Sequence, residues 1–413
     1  VIVERSGARW GVEPVTEAAE VEAIAAAIAE APLATFDLEF LAQDRLVPTL
    51  CLLQVSWLGR DTRLDVPASV IVATPPEVAL IDPLAVDVRP VIETLASHAC
   101  VIAHAPRQDL GLLATRFGIA MPAIIDTQVM AAFAGIGDQV GLATLANELL
   151  DLGLGKDLQW TDWGRRPLSD AQLAYADADV RHLPAIFALL RARLGERLAW
   201  ARAESAQVAA DALAASSVTP ETAWQQLGGL RNLDPIALAT AIELATWRHR
   251  TAIELDRPLG QVLNEKVLID IARTRPTSPS AVRSVKGISP IAKQRAEDLI
   301  AVVTTAKAEA APVLASMRAA SQRAQRWSEM LVAIVQLIAD QVRVAPRLLA
   351  TRADAEEFAR VFDERGLDAA SALPALATWR RDVIGRVWVD WLSGRIAMIG
   401  DPNAPSGIQL LPR

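Results

Sequence analysis

The chain almost lacks phenols. Its 413 residues include 11 tryptophans and 7 phenylalanines but one tyrosine, Tyr175. Cysteine is nearly absent too, with two, Cys51 and Cys100. So few thiols exclude a disulfide scaffold and a cysteine-rich zinc centre. Both fall in apolar runs that read as buried strands, where free thiols are expected. Although 52% of the residues are hydrophobic, no apolar run is long enough to span a bilayer. No basic segment precedes an apolar one at the start, so no secretory signal is expected. These absences point to a reducing, cytoplasmic compartment and no membrane partner. Positive charge is also short. The formal net charge is −8, and the acidic excess lies in residues 1–200, the remainder being slightly basic. That excludes a uniformly basic nucleic-acid binder but not a local basic surface. Arginine outnumbers lysine, a bias that suits bidentate phosphate contacts and that GC-rich coding also produces.

What is present gathers around the one tyrosine. In Tyr175-Ala176-Asp177-Ala178-Asp179 the hydroxyl and the Asp179 carboxylate stand four residues apart, on one face of a helix. Ala34–Phe40 reads as a strand, and strand side chains alternate. Asp37 and Glu39 therefore share a face, with Phe36, Leu38 and Phe40 on the other. Two such carboxylates repel unless a cation lies between them; otherwise they are a solvated pair on an edge strand. The apolar run Cys100–Ala103 reads as a strand leading through His104-Ala105-Pro106-Arg107-Gln108-Asp109 into a helix. Asp109 lies in its first turns, where a carboxylate also suits the helix dipole. Asp37, Glu39, Asp109 and Asp179 make a set of hard oxygen ligands of the kind that suits Mg²⁺ or Mn²⁺. Asp177 should point off that face, and Asp126 and Asp138 read as caps or turn residues.

The ordered motifs Asp37-Leu38-Glu39, His104 to Asp109, and Tyr175 to Val180 resemble those of the DEDDy family of 3′→5′ exonucleases, and of ribonuclease D within it. The connecting stretches Asp126-Thr127-Gln128, Gly137 to Leu142 and Asp162-Trp163-Gly164-Arg165-Arg166-Pro167 carry the likeness further, and it covers nearly the whole chain. The resemblance implies an α/β exonuclease domain with a ribonuclease H-like mixed sheet. It implies a metal-dependent 3′→5′ exoribonuclease that releases nucleoside 5′-monophosphates from structured RNA, tRNA precursors above all. Two divalent ions per site, Mg²⁺ or Mn²⁺, would be held by Asp37, Glu39, Asp109 and Asp179. Asp37 would bridge them, and Tyr175 would orient the attacking water. Since a phenol is a poor base at neutral pH, Tyr175 is an orienting partner rather than a proton acceptor. His104, Arg107, Gln108, Lys156, Arg165 and Arg166 are candidate substrate contacts; His104 also suits a structural hydrogen bond, and lone basic residues are commonly solvated. Trp163 is expected to pack, while Trp160 is open between packing and stacking. Two alternatives stay open: an exonuclease acting mainly on DNA, and a catalytically silent RNA-binding protein. A monomer is expected, with no protein partner assigned.

Two departures from the family pattern stand out. Leu38 replaces the threonine common between the first two acids, on the face away from the metals. Arg45-Leu46-Val47 stands where relatives often carry aromatics, so a base-stacking platform is expected to be missing. Extra sequence around residues 60–76 reads as a loop.

The expected domains are residues 1–200 for the exonuclease and two all-α HRDC-like units at 213–305 and 320–396. Strands are expected at Ala34–Phe40, Thr49–Trp57, Glu77–Ile81 and Cys100–Ala103. Helices are expected at Thr16–Ala31, Val88–Ser97, Gln108–Phe117, Thr127–Phe133, Leu142–Leu150 and Ser169–Leu194, giving alternating α/β order. Beyond Ala201 the strand signal stops. Leu238 to Ile300, with Ala245-Thr246-Trp247-Arg248 and Arg257-Pro258, resembles an HRDC domain, a small helical nucleic-acid-binding module. A polar helix at Pro312–Arg326 leads to the second unit. Trp247 and Trp379 are expected in cores. The clusters Arg248/Arg250 and Arg380/Arg381 are expected to meet phosphate, and Gly400–Arg413 to be a loose tail.

Overall fold

The computed structural model describes all residues except 1–2, 6–7, 11–12, 43, 155–160, 231–232, 308–319, 374–375 and 405–406. A short hairpin, β1 (Val3–Arg5) and β2 (Ala8–Trp10), precedes helix α1 (Ala18–Glu30). The central sheet follows: β3 (Ala34–Leu41), β4 (Thr49–Trp57), β5 (Glu77–Ile81), β6 (Val101–Ala103) and β7 (Ile124–Asp126). Its strand order is β5-β4-β3-β6-β7. The β3–β4 and β4–β5 pairs are antiparallel, and β3–β6 and β6–β7 parallel. The expected mixed sheet is therefore present, with β7 as a fifth strand. Three residues, Ile-Ile-Asp, were too few to show strand periodicity ahead of a helix cap.

Helices cover both faces: α2 (Ala68–Val72), α3 (Arg89–Ser97), α4 (Arg107–Phe117), α5 (Thr127–Phe133), α6 (Leu142–Leu150), α7 (Asp170–Arg181), α8 (Leu183–Leu194) and α9 (Leu198–Ser216). Phe36, Leu38, Val55 and Trp57 face a core shared with α1, α3 and α4. The opposite face of β4 packs Leu52 under Leu173 and Ala176 of α7. The expected single helix Ser169–Leu194 is broken at His182, because Pro184 sits in the first turn of α8 and cannot continue a helix. The segment at 60–76 is not only loop. It contains α2, whose Ile71 is buried against the α8 side of the core.

The boundary expected at residue 200 falls inside α9. That helix belongs to the exonuclease unit: Ala209 and Ala212 join its core, and Ser205 Oγ accepts the Asp126 N–H at 3.0 Å. Next comes α10 (Pro235–Leu255), capped by Asp234, with helices at Glu265–Thr274, Pro279–Arg283, Pro290–Gln294 and Ala296–Thr305. They enclose a separate apolar core. This module docks on the β3–β4 loop. Asp256 Oδ1 accepts the Leu46 N–H at 3.1 Å, Gln261 Nε2 donates to Asp44 Oδ1 at 2.9 Å, and Leu46 packs against the module's core.

The last unit attaches differently. The expected polar helix at Pro312–Arg326 lies partly outside the described residues; the helix observed is Gln322–Val342. With Arg352–Arg365 and Arg386–Leu392 it shares one continuous core with α5 and α8. Trp379 stacks on Trp200 at 5.2 Å and meets the Phe133 ring edge-on at 5.1 Å. Arg380 donates to Glu204 at 2.5 Å and to the Leu348 carbonyl at 2.7 Å. Its guanidinium is an interdomain staple, not the phosphate contact expected. Arg248 is likewise buried, donating to the Leu263 carbonyl, and Arg250 pairs with Glu221. The expected loose tail is a hairpin, β8 (Ile396–Gly400) with β9 (Ile408–Pro412). Met398 and Leu410 anchor it on the shared core, a contact that its glycines and prolines did not reveal. Among the described residues no helix is long and apolar enough to cross a membrane.

Trp379→Ala should cost about 3–5 kcal/mol in urea unfolding, with the exonuclease and C-terminal units melting together. A loss under about 1 kcal/mol would mean that the two do not share a core.

Candidate active site

The site forms where three elements bring acids together at the centre of the sheet. Strand alternation puts Asp37 and Glu39 on the α7 side of β3, half-buried, while Phe36 and Leu38 are buried on the other side. A register shift between Glu39 and Phe40 bends the strand as it leaves the site. Helix α7 starts at a capping box, in which the Ser169 hydroxyl accepts the Gln172 N–H and Gln172 Oε1 accepts the Ser169 N–H at 3.0 Å. One turn apart, Tyr175 and Asp179 then face the strand. Trp163, buried, packs beside the Tyr175 ring at 6.1 Å between centroids. The sharp turn from β6 into α4 places Ala105 at φ +53. Asp126 Oδ1 holds it by accepting the Ala105 N–H at 2.9 Å while also capping α5 through Gln128 N–H at 2.8 Å. Asp109, in the first turn of α4, is buried.

One carboxylate oxygen from each of Asp37, Glu39 and Asp179 lies within 4.8 Å of the others. This trio can hold a metal ion. Asp109 is outside that tight group but close enough to raise the pKa of Glu39, and Asp37 raises its own. Burial, reinforced by Asp37, Asp179 and Asp109, pushes Glu39 up to about 9. Burial also raises Asp37, Asp109 and Asp179, the last two further through the charge on Asp37. The counterweights are local: backbone hydrogen bonds at Asp37 and Asp109 and the Tyr175 hydroxyl beside Asp179. Such a cluster asks for a cation. Burial and the neighbouring acids push the Tyr175 phenol above its ordinary value, so it stays protonated.

Asp37, Tyr175 and Asp179 open on a cleft of about 410 Å³, lined also by His104, Gln128 and Leu142. His104 Nδ1 is hydrogen-bonded to Thr127 Oγ1 at 2.9 Å, while Nε2 is buried without a partner. Burial lowers the ring to about 4, so it is neutral. The other candidate contacts scatter. Arg107 pairs with Asp211 of α9 at 3.2 Å, and Gln108 and Arg165 are exposed. Lys156 and Trp160 lie outside the described residues. Arg166 is not a free substrate contact: it clamps Asp82 at 2.5 and 2.7 Å and donates to the Cys51 and Trp163 carbonyls at 2.6 and 2.8 Å. A buried acid across the sheet, not flagged by local sequence, claimed that guanidinium. Asp138 pairs with Arg347 of the last unit and Asp177 with Arg181. Arg45 and Leu46 engage Asp256, so the loop lacking aromatics is an interdomain contact. Sequence reading passed over Gln54, the one amide in the apolar run of β4, which pairs across the sheet with Asp37.

Because the folded protein holds protons that the unfolded chain releases above the ordinary carboxylate range, stability without metal should fall as pH rises toward about 9, the folded value for Glu39. Melting temperatures in EDTA should therefore drop between about pH 5 and 9, and saturating Mg²⁺ should flatten or reverse the slope. Matching slopes would contradict a cation-binding cluster. Arg166→Lys should cost about 1–3 kcal/mol in stability while leaving KM for RNA unchanged; a raised KM at unchanged stability would restore Arg166 as a substrate contact.

Residues 12–195 match the family model described as 3′-5′ exonuclease, and residues 238–303 the HRDC domain model. The chain is 32% identical to ribonuclease D of Granulibacter bethesdensis over 396 residues, 93% of each chain. It is 32% identical to ribonuclease D of Jannaschia sp. over 395 residues, 93% of this chain and 96% of that one. Its fold superposes on the crystal structure of Escherichia coli RNase D with a TM-score of 0.75 at 24% identity, covering 92% of this chain and 98% of the other. With its acids gathered on the sheet of a matched exonuclease domain, the chain belongs to the ribonuclease D family of 3′→5′ exonucleases.

Proposed function

We propose that the chain trims RNA from its 3′ end, releasing nucleoside 5′-monophosphates one at a time. The observation that carries this reading is the convergence of Asp37, Glu39 and Asp179 beside Tyr175 at the mouth of one cleft. Asp37, Glu39 and Asp179 would hold divalent cations, two per site and Mg²⁺ or Mn²⁺, with Asp109 contributing directly or through water. When bound, such ions supply the Lewis acidity that activates water and stabilises the leaving oxygen of a phosphodiester. The protein contributes geometry. Tyr175, held protonated and braced by Trp163, orients the attacking water by a hydrogen bond. His104, neutral and held by Thr127, lines the cleft where the end nucleotide would sit. Arg107, Gln108 and Arg165 remain contacts for the strand outside the cleft.

The E. coli structure is of an exoribonuclease involved in structured RNA processing, and the same substrate class suits this chain, tRNA precursors above all. We take residues 238–303 with their flanks, about 213–305, as the first HRDC unit and 320–396 as a second, HRDC-like one that steadies the RNA body. A monomer in a reducing, cytoplasmic setting suits the two buried free cysteines.

A 5′-labelled RNA hairpin with a short single-stranded 3′ tail should shorten by one nucleotide at a time in Mg²⁺ or Mn²⁺ and stay intact in EDTA. Asp179→Ala should cut the rate beyond the roughly hundredfold that an outer-shell loss costs. Faster cleavage of a matched DNA tail would move the substrate to DNA. RNA that is bound but left intact in both metals would refute the nuclease reading.

A further inference from the structure

Gln54 is the most anomalous polar residue among those described. It sits in the middle of β4, fully buried, and neither its Nε2 nor its Oε1 has a hydrogen-bond partner. Each neighbour on its face of the strand is accounted for. Leu52 packs under α7, and the Ser56 hydroxyl donates to the Val180 carbonyl at 2.9 Å. On β5 its cross-strand partner is Leu80, which is apolar and buried. On β3 its partner is Asp37. Glu39 and Thr35 are the diagonal neighbours on that strand.

A buried amide without partners calls for an explanation. Volume alone does not supply one, because leucine or methionine would fill the space without desolvating two polar atoms. Residues directly opposed on antiparallel strands have Cβ atoms about 5 Å apart, so a glutamine amide reaches an aspartate carboxylate by side-chain rotation alone. The bare acid cluster gives Asp37 only backbone help, and burial disfavours its charge. A cation bound to Asp37 fixes one carboxylate oxygen and leaves the other in need of a donor. An amide N–H is a neutral donor that adds no charge to a crowded acidic site.

We propose that Gln54 is a positioning residue for the metal centre: its Nε2 donates to the Asp37 carboxylate oxygen not taken by the cation, fixing that carboxylate against β4. The proposal rests on reading Asp37 as a metal ligand. It makes the amide an outer-shell support of the kind whose loss weakens metal binding about ten- to a hundredfold.

The test uses the full chain and Mn²⁺ binding measured by calorimetry, without RNA. Gln54→Met keeps the length and removes both polar atoms, so its melting temperature should hold or rise. Mn²⁺ affinity should nevertheless fall at least about tenfold. Unchanged affinity would overturn the role of Gln54 while leaving the metal site intact. Absence of Mn²⁺ binding by the unmodified protein would overturn the metal reading itself, and the Gln54 role with it. A crystal structure of the unmodified chain with Mn²⁺ gives a readout independent of how the variant folds. Gln54 Nε2 within about 3.2 Å of an Asp37 oxygen is expected, and an amide still unpartnered beside a bound ion would overturn the proposal.

Discussion

Repulsion among like charges in a poorly solvated place is the constraint around which this fold is built. Four carboxylates from β3, α4 and α7 meet where water is scarce; Asp37, Asp109 and Asp179 all raise the pKa of Glu39, and Asp37 raises Asp109 and Asp179 as well. A few local hydrogen bonds offset only part of that cost, so the surrounding structure must resist the acids' tendency to part. It does so with rigid parts. The central sheet fixes β3, a capping box starts α7, and one aspartate, Asp126, ties the β6–α4 turn to the start of α5. The Arg166–Asp82 clamp joins the loop before α7 to the end of β5 and to β4. The capping box and the Arg166–Asp82 clamp lie outside the lining of the cleft, yet they help set where the acids stand.

The chemistry was legible in the sequence because it is local. Asp37 and Glu39 share a strand face, Tyr175 and Asp179 share a helix turn, and each pair can be recognised within five residues. Asp109 needed only the strand-to-helix transition at His104. The sheet was legible for the same reason, apart from β7, which was too short to show a period. Pairings between distant segments were not legible. Arg166 looked like a substrate contact because nothing nearby announced Asp82, 84 residues earlier. Arg380 and Arg248 looked like phosphate contacts because their partners, Glu204 and the Leu263 carbonyl, were equally unannounced. Gln54 was passed over in its apolar run, because its meaning depends on the register that sets it opposite Asp37.

The two helical attachments differ in kind. The C-terminal unit is joined to the exonuclease domain by an apolar core with stacked tryptophans, and its terminal hairpin is anchored on the same core. It is part of the exonuclease body, whatever its kinship with the first helical unit. The HRDC module has its own core and meets the β3–β4 loop mostly through polar groups. That loop continues the strand carrying Asp37 and Glu39, so the module's seat and the acids share one stretch of backbone.

This second junction has a consequence in ionic strength. Its pairs, Arg45–Asp256 and Arg257–Asp44, are largely exposed to solvent, so dissolved ions screen them over about 8–10 Å near physiological salt. Contacts between arginines and an RNA backbone weaken over the same range. Salt thus acts twice in the same direction, loosening the grip on the strand and the seat of the module beside it. The junction of the C-terminal unit rests on its apolar core and on the largely buried Arg380–Glu204 pair, so salt reaches it far less, leaving one helical attachment tuned by the electrolyte more strongly than the other.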